Sequence, residues 1–277
     1  MEKNKLLRPF VKWAGGKRQL LEEIRKYIPK NFSTYYEPFL GGGAVLFDLQ
    51  PKRFVINDIN SEMINVYRTV QSDVESLVNE LFTYKNSPDF FYKIREIDRS
   101  AGFAEITGLK RAARIIYLNK TCFNGLFRVN SRGQFNVPFG SYTNPDFINE
   151  TTLRAVNKYL NEPDGKILNV DFEEALQDAG KGSFVYIDPP YDPVSDSSSF
   201  TGYTLDGFGK EEQRRLKLVC DNLSSRGSRF LLSNSATDFI NNLYSGYRIE
   251  IVRAKRHINA SANGRGAIDE VLIRNFE

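Results

Sequence analysis

The stretch FVYIDPPYDP, Phe184 to Pro193, restricts what this chain can fold into more than any other. Its apolar and aromatic run has the composition of a strand buried on both faces of a parallel sheet, and it stops at an acid and two prolines that cannot continue a strand. The stretches YYEPFLGGG, RFVINDIN from Arg53 and KILNVDF from Lys166 repeat the design: an apolar run, then acids or glycines. They alternate with helical patterns such as KRQLLEEIRKYIPK, in which Leu20, Ile24, Tyr27 and Ile28 share a face and Pro29 ends the helix. Strands alternating with helices predict an α/β fold with a doubly wound sheet. Such sheets bind ligands outside the carboxyl ends of their strands, where this chain places its acids. RFLLSNS, YRIEIVRA and DEVLIRNFE supply three further strands, the last two suited to an antiparallel edge.

The 277 residues, 41% of them apolar, hold one large domain or one domain with an insert. The rhythm changes between Asp58 and Lys166, where helical patterns and long polar loops replace core strands over the extent of a small domain. In GLKRAARIIYL the residues Leu109, Ala112, Ala113 and Ile116 share a face, so Lys110, Arg111 and Arg114 are expected to point elsewhere. The loop that follows, TCFNGLFRVNSRGQFNVPFGSY, is too aromatic and too basic to be mere connection. The net charge of +4 says little, but its distribution says more. No acid occurs from Ile106 to Pro145, a window holding Lys110, Arg111, Arg114, Lys120, Arg128 and Arg132, and a second acid-free run from Ile251 to Ile268 carries Arg253, Lys255, Arg256 and Arg265. Two positive surfaces suit a polyphosphate backbone; the plainer alternative is a pair of solvated basic faces. With only Cys122, Cys220 and His257, no zinc or disulfide framework is available, and a reducing, cytoplasmic compartment fits. The N-terminal MEKNKLLRPF lacks the apolar core of a signal peptide, and no stretch of about 18 apolar residues offers a membrane span.

Gly41, Gly42 and Gly43 in EPFLGGGAVLF let backbone approach a ligand closely, although Leu46 breaks the dinucleotide fingerprint. WAGGKR is no P-loop, because Arg18 stands where a hydroxyl must hold magnesium. Asp58, at a strand tip, can accept from ribose hydroxyls, cap the helix that follows, or both. Asp171 is equally divided between a helix N-cap and a ligand contact. In DPPY, Asp188 and the Pro189 carbonyl are rigidly aimed acceptors and Tyr191 offers a flat face beside them. Acceptors beside a stacking ring suit a planar exocyclic amine, whose delocalised lone pair makes it a poor nucleophile. Hydrogen bonds from its two hydrogens free that lone pair and stabilise the charge that develops as it attacks a methyl group, without metal or covalent intermediate.

In combination, FVKWAGGKRQL, EPFLGGGAVLF, VINDIN, NGLFRVN, FNVPFG and YIDPPY, in this order across nearly the whole chain, resemble the DNA adenine-N6 methyltransferases of the Dam and DpnM type. The resemblance implies a Rossmann-like S-adenosylmethionine-dependent methyltransferase domain from residues 1–60 and 156–277, with a mainly helical target-recognition insert at 61–155. It further implies S-adenosylmethionine as donor, double-stranded DNA as partner, GATC as the site, and extrusion of the target adenine from the duplex. No metal, membrane association or obligatory protein partner is expected. By motif, Trp13, Lys17, Phe39, Gly41, Asp58, Asp171, Phe172 and Asp188 would contact the donor, and Asp188, Pro189 and Tyr191 would hold the target amine. Phe123 and Asn124 match positions that fill the gap left by the extruded base, while Lys12, Leu126, Arg128, Pro138 and Tyr142 match positions that contact DNA near the bases. Phe123 departs from the tyrosine expected in Dam itself, keeping an aromatic but losing its hydroxyl. A guanidinium can bond guanine O6 and N7 together, which makes Arg128 the specificity candidate; its alternative is a phosphate contact. The same amine-binding corner could serve cytosine N4, an adenine in RNA or a protein glutamine, and the basic loop argues against the last. A non-catalytic DNA-binding protein is disfavoured by intact Asp188, Tyr191 and Gly41.

Overall fold

The computed structural model describes residues 3–13, 15–162, 164–194, 207–255 and 267–277, with backbone only at 18, 253–255, 267 and 268. Arg256, His257, Arg265 and the serine run 195–199 lie outside the described residues, as do the side chains of Arg253 and Lys255, so the second basic run is not described.

Among the described residues seven strands form one sheet: β1 Thr34–Glu37, β2 Arg53–Asn57, β3 Asp164–Leu168, β4 Ser183–Ile187, β5 Arg229–Ser235, β6 Arg248–Lys255 and β7 Ala267–Arg274. Their order is β3-β2-β1-β4-β5-β7-β6. The first five are mutually parallel, β7 runs antiparallel to β5, and β6 pairs antiparallel with β7 at the edge, as the sequence predicted. The chain winds outward through β1, β2 and β3, then returns to β4 beside β1 and winds the other way. That reversal makes the carboxyl ends of β1 and β4 the topological switch point, and it is in the crevice outside such a point that doubly wound sheets bind ligands.

Every residue of β4 is buried, and its side chains alternate between two cores. Phe184 and Tyr186 join one face with Phe10, Tyr35 and Leu231, while Val185 and Ile187 join the other with Phe230, Leu216 and Val271. KILNVDF begins its strand two residues earlier than read, at Asp164, and as an edge strand β3 is only half-buried.

Helices α1 Leu21–Lys26 and α2 Ala44–Leu49 flank β1, and between β2 and β3 the described elements are helices and irregular chain: α3 Ser61–Ser72, α4 Val74–Phe82, α5 Pro88–Glu96, α6 Gly108–Thr121 and α7 Glu150–Asn161. Asn157 Nδ2 donates to the Val70 and Gln71 carbonyls and Gln71 Nε2 to the Leu160 carbonyl, which seams α3 to α7. The core beneath the sheet continues into these helices through Tyr67, Leu77, Phe91 and Tyr117. One expectation for α6 is overturned. Arg114 does not project from the helix: its side chain is 3% exposed and pairs with buried Asp98 at 2.6 Å, while its Nε donates to the Ile94 carbonyl. Asp98 lies outside the acid-free window, so counting charge within that window mistook a buried ion pair for surface. Arg111 likewise pairs with Glu62, which leaves Lys110, Arg128 and Arg132 as its exposed cations, while Lys120 is half-buried.

Candidate active site

Two polar strand ends meet at the switch point. β4 delivers Asp188 and β5 delivers Ser233 and Asn234, because Ile187 pairs with Leu232 in the parallel register. Asp188 Oδ1 is bound by Lys17 Nζ at 2.9 Å and by the Ser233 hydroxyl at 2.9 Å, and Ser233 is itself within 3.2 Å of the Tyr186 hydroxyl. Lys17 opens a single 3-10 turn, Lys17–Gln19, is 5% exposed, and also donates to the Gly15 carbonyl at 2.6 Å. A lysine so enclosed is held by its acceptors, and it lies 4.7 Å over the Tyr191 ring.

The prolines do not act alone in fixing the loop. Gln213, on α9 Lys210–Ser225, donates to the Pro190 carbonyl and accepts from Asn234 Nδ2, while Asn234 Oδ1 takes the Asp192 amide and Thr237 donates to Asp192 Oδ2. Each of these buried polar groups is paired, so the loop carries its acceptors in a rigid frame. The Tyr191 hydroxyl donates to Glu270 Oε2 at 2.8 Å. Burial, with Asp188 and Glu270 nearby, holds that phenol well above its usual range, so it remains a donor.

On the other side of the crevice, Asp58 Oδ2 accepts from the Gly41 amide at 2.8 Å and Oδ1 from the Asn60 amide at 2.9 Å. Burial raises its carboxyl, and those two amides oppose the shift. Asp58 is therefore not the cap of α3; Asn60 is, accepting from the Met63 amide. Gly41, at φ 48°, also has its carbonyl held by Tyr67, and a Cβ there would lie 2.6 Å from Trp13 Cδ1. The glycines thus let the loop approach the protein's own Trp13, whose indole stacks on Phe127 at 4.8 Å. Phe39 packs 5.4 Å from Phe172 at the third strand end. Asp171 caps α8 Phe172–Ala175 through the Glu173 amide and is gripped at both oxygens by Arg215. Burial pushes its carboxyl up, but the Arg215 guanidinium and the Glu173 and Phe172 amides together outweigh that and keep it below the ordinary range.

The loop after α6 carries the remaining positions. Phe123 is 53% exposed, and its amide donates to the Pro138 carbonyl; Asn124, at φ 57°, turns the chain in front of Gly125. Lys12 and Asn119 exchange two 2.7 Å bonds through the Lys12 backbone, and Lys12 Nζ lies 5.0 Å over the Tyr142 ring. Arg128, exposed on a hairpin closed by the Val129 and Phe135 bridge, donates from Nε to Asn136 Oδ1 at 2.7 Å. Leu126 packs against the core. Thus Lys12 meets Tyr142 and Phe123 meets Pro138, whereas Arg128 stands out on its own hairpin.

The family model for D12 class N6 adenine-specific DNA methyltransferases matches residues 13–258. The chain belongs to that family. It is 43% identical to a type II methyltransferase, M1.LlaDCHI, of Lactococcus lactis subsp. cremoris, over all of this chain and 98% of that protein. It is 42% identical to the type II methyltransferase M.MjaIII of Methanocaldococcus jannaschii, over 98% of this chain and 99% of that protein. Against the DNA adenine methylase of Escherichia coli K12 the figures are 34%, 98% and 95%. The chain is an adenine-specific DNA methyltransferase. Among the described residues no group of three or more His, Cys, Asp or Glu could hold a metal, and no helix is long and apolar enough to cross a membrane.

The candidate site of this D12 methyltransferase also contains residues that the sequence analysis did not single out: Glu37, Ser233, Gln213, Asn234 and Glu270. A signal existed for two of them. Ser233 and Asn234 are polar residues at the carboxyl tip of an otherwise apolar strand, the same pattern that marked Asp188. Glu37 is 2% exposed, with the Tyr35 hydroxyl 2.8 Å from Oε2, and burial pushes its carboxyl up to about 8.

Proposed function

We propose that the chain transfers a methyl group from S-adenosylmethionine to N6 of an adenine extruded from double-stranded DNA, within GATC. The observation that carries this reading is Asp188: one oxygen is occupied by Lys17 and Ser233, which commits Oδ2 to a substrate donor beside the Tyr191 ring. Asp188 Oδ2 and the Pro189 carbonyl accept the two N6 hydrogens, leaving the lone pair available, and Asp188 is the acceptor for the proton N6 sheds. The base stacks on Tyr191, which helps to offset the few kcal/mol of unstacking and unpairing.

The residues at the crevice fit the donor. Asp58 has lone pairs left for ribose hydroxyls, Phe39 and Phe172 give an aromatic wall for its adenine, and the Gly41 loop brings backbone close. Bound there, the donor supplies an electrophilic methyl on a sulfonium. Trp13 and Lys17 line the approach between donor and target, and Asp171 serves the donor through the oxygen edges left beside Arg215.

Residues 61–155 act as the target-recognition segment, with 1–60 and 156–277 carrying the chemistry. Phe123 and Asn124 fill the space left by the extruded base, which their exposed, turned-out placement supports. Lys12, Leu126, Pro138 and Tyr142 contact DNA nearby, and Arg128 reads a guanine. The test is tritium transfer from S-adenosylmethionine to a duplex with one GATC, against the same duplex already N6-methylated on both strands. Label on the unmodified duplex alone is expected. Equal label on both would refute methylation of that adenine, and label on neither would refute the site or the reaction.

A further inference from the structure

Tyr191 has to present its ring in one plane if a base is to stack on it, and the prolines before it do not achieve that. They fix the backbone at positions 189 and 190 but leave both side-chain torsions of Tyr191 free. Gln213 and Asn234 hold the Pro190 carbonyl and the Asp192 amide, again on the backbone. At the far end of the ring the Tyr191 hydroxyl donates to Glu270 Oε2 at 2.8 Å and has the Ser233 side chain as a second neighbour.

Glu270 is placed for this by topology. β7 runs antiparallel to β5, so its early residues lie at the carboxyl edge, and Glu270 pairs there with Ser235 and, on the other side, with Val252. It is 7% exposed, in a strand whose next residues, Val271 to Ile273, are core. Such a costly position for a carboxylate is explained by a partner, and its partner is the ring of the amine-binding motif.

We propose that Glu270 is a positioning residue for methyl transfer: through the Tyr191 hydroxyl it locks the plane of the ring on which the target adenine stacks. The inference rests on the stacking role given to Tyr191 above. A ring free to turn about its torsions misplaces N6 relative to the methyl carbon, and misplacement by about 1 Å is worth about 100-fold in rate.

The experiment uses the full chain with saturating S-adenosylmethionine and a GATC duplex, measuring single-turnover methyl transfer, donor affinity and the fluorescence of 2-aminopurine at the target position. Glu270→Leu is expected to slow transfer about 10- to 100-fold with donor affinity unchanged, and to raise 2-aminopurine emission because the flipped base is no longer held on a fixed ring. Glu270→Gln, which keeps an acceptor oxygen, should restore most of the rate. Tyr191→Phe removes the hydroxyl without touching β7, so it carries the test if Glu270→Leu does not fold. It should show the same loss, and combining both changes should cost no more than either alone. Transfer within twofold of wild type in Glu270→Leu or Tyr191→Phe, or additive losses in the double variant, would overturn the inference. Failure of the wild-type protein to label adenine would instead strike the proposed function.

Discussion

Replacing Glu37 by glutamine should alter how the stability of this protein depends on pH. Burial moves the Glu37 carboxyl from an ordinary 4.5 up to about 8, against the pull of the Tyr35 hydroxyl, and the nearby Asp188 charge adds to the rise. The folded protein therefore keeps a proton that the unfolded chain releases. Stability from this group is full below about pH 4.5 and is lost as pH rises toward 8, because there the unfolded state binds fewer protons. Each pH unit inside that window is worth about 1.4 kcal/mol, and allowing for partial onset near the lower end, the fall from pH 5 to pH 7 is about 2.5 kcal/mol. Glutamine is uncharged at every pH and lacks this term. Urea unfolding of both proteins across pH 5 to 8 isolates it, since the other titrating groups are shared. The wild-type advantage over Glu37→Gln should shrink by about 2.5 kcal/mol between pH 5 and pH 7 and level off above pH 8. Parallel stability curves would show that Glu37 is charged in the folded protein and that the reasoning is wrong.

Asp188→Ala is expected to abolish methylation while DNA affinity stays within a few-fold in gel-shift titrations; retained turnover would remove Asp188 from the chemistry. Asp98→Ala strands buried Arg114 and the Phe135 amide, which donates to Asp98 Oδ2 at 2.7 Å, so urea denaturation should show a loss of about 3–5 kcal/mol. A loss under about 1 kcal/mol would place that pair in solvent. Gly41→Ala sets a Cβ 2.6 Å from Trp13 at positive φ, and calorimetry should find donor affinity at least tenfold weaker with DNA binding preserved. Arg128→Ala should relax discrimination at one guanine by about 1–3 kcal/mol in competition with altered duplexes; uniform weakening across all duplexes would mark a phosphate contact instead.

The sheet was legible because its strands are short apolar runs with abrupt polar ends, a pattern that survives without any knowledge of neighbours. Asp188 and Asp58 were legible for the same reason. Arg114 was not, since its partner Asp98 comes from a different helical segment and local charge counting cannot see across a fold. Glu270 sits one residue before the core run Val271–Ile273, and only the antiparallel pairing with β5 reveals that it faces the DPPY loop. Of the readings left open for Asp58, the helix cap falls, because VINDIN offers Asn57, Asp58 and Asn60 within four residues; Asn60 caps the helix and Asp58 takes the Gly41 amide.

The segment from Lys12 to Lys17 links the two places to which base reading and methyl transfer are assigned in the proposed function. Its first residue is locked through its backbone to Asn119, at the root of the loop that carries Phe123 and Arg128, and its last grips Asp188. On the proposed roles of Phe123, Arg128 and Asp188, the length of chain between these two anchors is a covalent ruler between base reading and methyl transfer. On that proposal, lengthening the ruler by one residue is expected to leave donor and DNA affinities unchanged in binding titrations while methyl transfer is lost, because the methyl group is no longer delivered where the DNA is read.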